Sequence, residues 1–245
     1  MQQAGLIVYD VLMGLREMVR PGVTTMELEK YAAKRTSEYG VRPAFKGYRG
    51  YPCVLCASIN EEVVHGIPST SRRLVEGDII SLDFGVESNG YYGDAALTVP
   101  VGKVSPETEK LLRVTREALD RGIEKVRPGN RLGDISAAVQ QWVERNGFSV
   151  VREFVGHGIG TRMHEEPNVP NYGEAGRGPR LEEGMVFAIE PMVNAGGPGV
   201  KVLEDNWTAV TTDGTRSAHF EHTVAATAEG PWILTRPRDV TGPAW

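Results

Sequence analysis

The second part of this chain repeats the first at a spacing of 107 residues, which constrains the fold more than any single motif. Val19-Arg20-Pro21-Gly22 recurs as Val126-Arg127-Pro128-Gly129, Gly40 as Gly147, and Leu74-Val75-Glu76-Gly77 as Leu181-Glu182-Glu183-Gly184. Three blocks at one offset imply a fused duplication. Local signals agree. Apolar periodicity gives a first helix over Gly5 to Val19, ended by Pro21-Gly22. A second runs from Met26 to Tyr39, with Thr25 as its cap and Gly40 closing it. Ser105-Pro106 opens a third, which extends to about Val126. A fourth spans Leu132 to Arg145 and ends at Gly147. The expectation is one α/β domain, residues 1–245, in two similar halves of about 1–104 and 105–245. A pseudo-twofold axis would relate the halves, and a functional site would lie where they meet.

Between the second and third helices, Glu76 to Pro100 reads as two strands around the turn chemistry of Ser88-Asn89-Gly90. Each strand carries an acid, Asp83 and Asp94, where Asp is normally disfavoured. A Ser88-Asn89 loop would place the two directly opposite each other, and an Asn89-Gly90 loop would make them diagonal neighbours. Both registers put both carboxylates on one face. Like charges so placed repel, and a divalent cation held by oxygen ligands would reconcile them.

The duplication supplies a third acid, because Asp83 maps onto Glu190 at the same offset. Glu221 lies in a late strand-like stretch, Ala218 to Ala226, and His157 sits between glycines that let the backbone come close. Four carboxylates and an imidazole form a hard site with room for two cations, compatible with Mg²⁺, Mn²⁺, Fe²⁺, Co²⁺ or Zn²⁺. Such a pair would generate a nucleophilic hydroxide and polarise a carbonyl. A shorter echo, at an offset of 99, links His65-Gly66-Ile67-Pro68 to His164-Glu165-Glu166-Pro167.

Composition excludes several classes. The 245 residues are 40% hydrophobic with a net charge of -5, which fits a globular core and gives no basic footprint for nucleic acid. No apolar run is long enough to span a membrane, and MQQAGLIVYD lacks the basic start and cleavage site of a signal peptide, so a cytoplasmic location is expected. Cys53 and Cys56 lack partners for a structural zinc site and read as reduced thiols packing or lining a pocket.

The runs CASINEEVVHGIP (56–68), SLDFG (81–85), YYGDAALTVPVG (91–102), GHGIGTRMHEEPNVPNYG (156–173), FAIEPM (187–192) and SAHFEHT (217–223) together resemble type I methionine aminopeptidases, in that family's order and near its spacing. The resemblance implies a pita-bread α/β fold and removal of the initiator methionine from nascent chains with a small second residue. It makes Asp83, Asp94, His157, Glu190 and Glu221 the ligands of two divalent ions (Co, Mn, Fe, Zn or Ni), with Asp94 and Glu221 bridging and Glu190 also moving protons. His65 would steady the scissile amide nitrogen, and His164 would hydrogen-bond the carbonyl oxygen as it becomes an oxyanion. Tyr51, Cys56 and Trp207 match the methionine pocket, with Phe45 and Tyr48 as weaker candidates. Met163 stands where many relatives carry Phe. The implied partners are nascent N-termini, the ribosome surface included, and the implied state is a monomer. Two other readings compete. A prolidase or aminopeptidase P would carry a further N-terminal domain, and a non-catalytic descendant would have lost ligands that are all present here. A serine hydrolase is excluded by the lack of a G-x-S-x-G run.

Overall fold

The structure, a computed structural model, describes residues 1–240 and 245. Helix α1 (Gln2–Met18) leads into α2 (Thr25–Glu38), then β1 (Arg42–Pro43), a 3-10 turn at Tyr48–Gly50, β2 (Leu55–Ile59) and β3 (Glu62–Val64). The long hairpin β4 (Ile79–Ser88) and β5 (Tyr91–Pro100) follows. The chain then repeats the pattern with α3 (Pro106–Ile123), α4 (Leu132–Arg145) and β6 (Ser149–Val150). Next come β7 (Gly156–Gly158), β8 (Glu165–Val169), β9 (Val186–Ile189) and β10 (Met192–Asn194). The last strands are β11 (Val200–Val202), β12 (Ala209–Thr211), β13 (Ser217–His219), β14 (Glu221–Thr227) and β15 (Gly230–Ile233).

The repeat persists in three dimensions. Shifted by 107, α2 coincides with α4 and β1 with β6, and β4 covers the span of β9 and β10. The N–H of Gly22 donates to Leu74 O, and that of Gly129 donates to Leu181 O. Isolated bridges join Thr24 to Arg73 and Arg131 to Arg180, again one repeat apart.

The cap of α2 is Thr24 rather than Thr25. Its hydroxyl accepts from Glu27 N at 3.3 Å, and its own N–H donates to Glu27 Oε2 at 2.8 Å, so the reciprocal box of a well-formed N-terminus sits one residue early. Thr25 instead faces inward and donates to Ser69 O. The third helix keeps Ser105 as its cap but ends at Ile123.

Among the described residues the principal sheet runs β1-β4-β5-β14-β9-β7-β8, antiparallel throughout, with β2 also on β4 and β15 also on β14. Two smaller sheets, β13-β10-β6 and β11-β12-β3, flank it. Helices α1 and α2 pack on the strands of the first half, and α3 and α4 on those of the second. Leu12, Leu15, Leu82, Phe84, Leu119 and Phe187 are fully buried between helices and sheet. Burying side chains of this size contributes about 1.5–3 kcal/mol each. The opposite face of the sheet is left for chemistry.

Candidate metal and substrate site

The hairpin settles the register. Asn89 and Gly90 take positive φ values of 54° and 82°, the two-residue turn that matches strand twist, and Gly85 pairs with Asp94 and Asp83 with Ala96. Asp83 and Asp94 are therefore diagonal neighbours on one face. Gly85 leaves room beside the second acid, since a Cβ there would come within 3.0 Å of Asp94 Oδ1.

Five neighbouring strands each deliver one candidate ligand: Asp83 from β4, Asp94 from β5, Glu221 from β14, Glu190 directly after β9, and His157 from β7. Ligand atoms of Asp94, His157 and Glu221 all lie within 4.8 Å of one another. In strand order Asp83 lies outside Asp94, and Glu190 lies between Glu221 and His157. The Nε2 of His157 is 3.7 Å from Glu190 Oε1. The glycines around His157 serve close approach, because a Cβ at Gly156 would meet Ala188 O at 2.3 Å and one at Gly158 would meet Glu166 O at 2.5 Å.

The electrostatics of this cluster call for positive charge. Asp94 Oδ1, Asp83 Oδ1 and Glu221 Oε1 are buried without a hydrogen-bond partner. Burial, then the nearby Asp94 and Glu190, pushes the Asp83 carboxyl far up. Glu190 is raised by burial and then by Asp94. Glu221 is raised by burial and then by Asp94, Glu190 and Asp83. Burial lifts Asp94 to about 7. His157 is lowered to about 4 by burial and then by His164. Its Nδ1 lies 2.8 Å from Gly158 O, and a carbonyl only accepts, so Nδ1 carries the proton and Nε2 presents a lone pair. That lone pair faces the Glu190 carboxylate, an arrangement a shared cation makes favourable. Unpartnered hard oxygens around an oriented imidazole are the donor set a divalent ion takes.

A pocket of about 160 Å³ opens over the acids, which form part of its lining. Its walls include Tyr51, Cys56, Trp207 and Met163, with His65 and His164 at its sides. Cavities of about 150 Å³ accept a benzene-sized guest, so a thioether side chain fits the scale. The Tyr51 hydroxyl donates to Leu55 O at 3.0 Å and to Gly66 O at 3.1 Å, and this pins a ring that packs T-shaped against Trp207, centroids 5.1 Å apart. Cys56 is buried beside Asp83 as a free thiol, its ionisation suppressed first by burial and then by that acid. His65 stands edge-on to Phe154 at 5.4 Å and Trp207 at 6.0 Å. His164 stacks on Tyr48 at 5.2 Å and lies 4.2 Å from the His157 ring. Burial lowers both His65 and His164, with His164 acting second on His65 and Arg49 second on His164.

All the candidate residues read from sequence thus share one cleft. Sequence reasoning passed over Arg49, which lines the same pocket, Phe154, which buttresses His65, and His219, whose Nε2 lies 3.8 Å from Glu190 Oε2. The run SAHFEHT contained the last, but nothing local marks an imidazole as facing an acid 29 residues away.

A pseudo-repeated α/β chain whose sheet gathers acids and one histidine is a metallopeptidase architecture, and the chain belongs to metallopeptidase family M24, whose profile matches residues 1–228. Within that family its similarity is to methionine aminopeptidases. It is 55% identical over 235 residues to a methionine aminopeptidase of Clostridium perfringens, covering 96% of this chain and 94% of that one. The methionine aminopeptidase of Thermotoga maritima superposes with a TM-score of 0.95 at 48% identity, covering 97% of this chain and 95% of that one. A prolidase from Pyrococcus furiosus shares the fold alone, with a TM-score of 0.74 at 23% identity, and 63% of its chain is covered. The fold is thus the pita-bread fold that the sequence motifs implied. Divalent-metal use follows from the family and the buried cluster.

Proposed function

We propose that this chain is a two-metal aminopeptidase that removes the initiator methionine from peptides and nascent proteins with a small second residue. The observation that carries the reading is the convergence of Asp83, Asp94, Glu221, Glu190 and His157 beside an apolar, aromatic-edged pocket flanked by two more histidines. Asp94 and Glu221 come from adjacent strands in the middle of the set and would be shared by the two ions, with Asp83, Glu190 and His157 as the remaining ligands. When bound, the ions supply a Lewis acid and a water acidic enough to attack at neutral pH. The protein's own residues do the rest. Tyr51, Cys56, Trp207 and Met163 receive the methionine side chain, where sulfur against aromatic rings is a favourable contact. Glu190 takes the proton of the attacking water and returns it to the leaving amine. His164 donates to the carbonyl oxygen as negative charge develops on it, and His65 steadies the scissile nitrogen.

The two halves act as one catalytic domain on this reading. With nascent chains as substrate it works as a monomer in the cytoplasm, close to the ribosome surface. Among the described residues no helix is long and apolar enough to cross a membrane.

The test uses protein stripped with chelator and reloaded with Mn²⁺ or Co²⁺. Methionine should be released from Met-Ala-Ser and not from Met-Leu-Ser, and Asp94→Asn should abolish release while the protein stays folded by circular dichroism. Folded protein that frees no methionine with any divalent ion would overturn the activity, and full turnover in Asp94→Asn would overturn the bridging role.

A further inference from the structure

Glu190 is approached by two imidazoles, one at each oxygen. His157 Nε2 lies 3.7 Å from Oε1, and His219 Nε2 lies 3.8 Å from Oε2. His219 is 1% exposed, does not line the pocket, and its Nε2 is buried without a hydrogen-bond partner. A buried, unpaired ring nitrogen aimed at a carboxylate is an incomplete contact, because such groups are normally satisfied.

The backbone that carries this ring is fixed on two sides. The N–H of His219 donates to Thr98 Oγ1 at 2.8 Å, and the same hydroxyl donates to His219 O at 2.8 Å. On the other side His219 pairs with Met192, two residues after Glu190, and Phe220 N donates to Pro191 O. The segments holding Glu190 and His219 are therefore tied to each other, and the separation of Nε2 from Oε2 is a small side-chain adjustment away from hydrogen-bond length.

We propose that His219 is a positioning residue for Glu190: its Nε2–H takes Oε2, which leaves Oε1 alone turned toward His157 and the cation site. The proposal rests on the reading of Glu190 as a cation ligand. A free carboxylate rotates about its terminal bond and offers either oxygen. One oxygen anchored from behind presents the other in a fixed direction, as outer partners do for ligands in metal sites. His219 touches neither substrate nor ion in this arrangement and acts only through Glu190.

Three variants of the full chain test it. His219→Leu and His219→Met remove the donor, whereas His219→Gln keeps an N–H donor at similar reach. Calorimetric titration of the metal-stripped proteins with Mn²⁺ should show affinity weakened about 10–100-fold in the Leu and Met variants and largely regained in the Gln variant. On Met-Ala-Ser, kcat should fall in the first two with KM unchanged, and recover with Gln. Melting temperatures of the metal-free proteins identify any variant that is merely unfolded. Wild-type Mn²⁺ affinity in a folded Leu or Met variant overturns the proposal, as does a folded Gln variant that binds as weakly as Leu. In either case wild-type binding and the loss in Asp94→Asn would survive. If the wild type itself takes up no Mn²⁺, the reading of the whole site falls, and this role with it.

Discussion

Asp94 and Thr223, 129 residues apart in sequence, are tied together twice. The Asp94 N–H donates to the Thr223 hydroxyl at 3.1 Å, and that hydroxyl donates to Asp94 O at 2.8 Å. Thr98 makes the same double contact with His219 at the other end of the short ladder formed by Ala95–His222 and Ala96–Glu221. Two threonine side chains thus extend the pairing of β5 with β14 and fix the backbone on either side of Glu221. Thr223→Val should leave both polar groups of the Asp94 backbone without partners, at a cost of about 1–3 kcal/mol, while Thr223→Ser keeps them. Urea unfolding of the metal-free proteins measures the difference, and equal stability of the two variants would count against the role.

The acid cluster should give the metal-free protein an unusual pH dependence. A raised carboxyl pKa means that the folded state holds protons the unfolded chain has released, so stability falls as pH rises between the two values. For Asp94 that window runs from 3.8 to about 7, and burial shifts Asp83, Glu190 and Glu221 in the same direction. The lowered histidines act in the opposite sense, but only below their unfolded value of 6.5. Above that value the carboxyls act alone. The melting temperature of chelator-treated protein should therefore drop as pH is raised from 6.5 to about 7.5, and Mn²⁺ should remove the drop by binding the deprotonated form. A flat metal-free profile across this range would contradict the clustering.

Trp207 forms one side of the pocket and braces both Tyr51 and His65. Trp207→Ala should raise KM for Met-Ala-Ser about tenfold, roughly 1.4 kcal/mol of binding, with a small effect on kcat, because the thioether contact is the same in ground and transition states. Trp207→Phe should restore most of it. Steady-state kinetics at saturating metal decides, and a loss confined to kcat would instead assign Trp207 to the alignment of His65.

Much of this arrangement was readable from the chain because it depends on local chemistry or on the repeat. The fourth helix matches its expected bounds of Leu132 to Arg145, since Pro128-Gly129 precede it and Gly147 follows it. Both hairpin acids share a face in any register, so their convergence did not depend on choosing the turn. The choice itself needed backbone angles at Asn89 and Gly90. Thr24 and Thr25 are equally good caps by residue type, and the helix starts after Thr24 because Glu27, three residues on, completes the reciprocal pair. Glu221 falls outside the 107-residue register, because β11, β12 and β13 intervene before β14 takes its place beside β5. His219 was illegible for a similar reason, as its partner is set by the pairing of β10 with β13.

The strand order carries a consequence for how the protein comes into being. The sheet is not assembled in chain order: β14 inserts between β5 and β9, joining residues near position 95 to residues near position 222. Such long-range closure is slow, since loop entropy is lost before the contacts that repay it are made. During synthesis Asp83 and Asp94 wait beside an empty strand position, and the acids on both its sides are joined only when that strand arrives. On the proposed two-metal reading, a chain that ends before residue 221 lacks Glu221 and with it a complete ligand set.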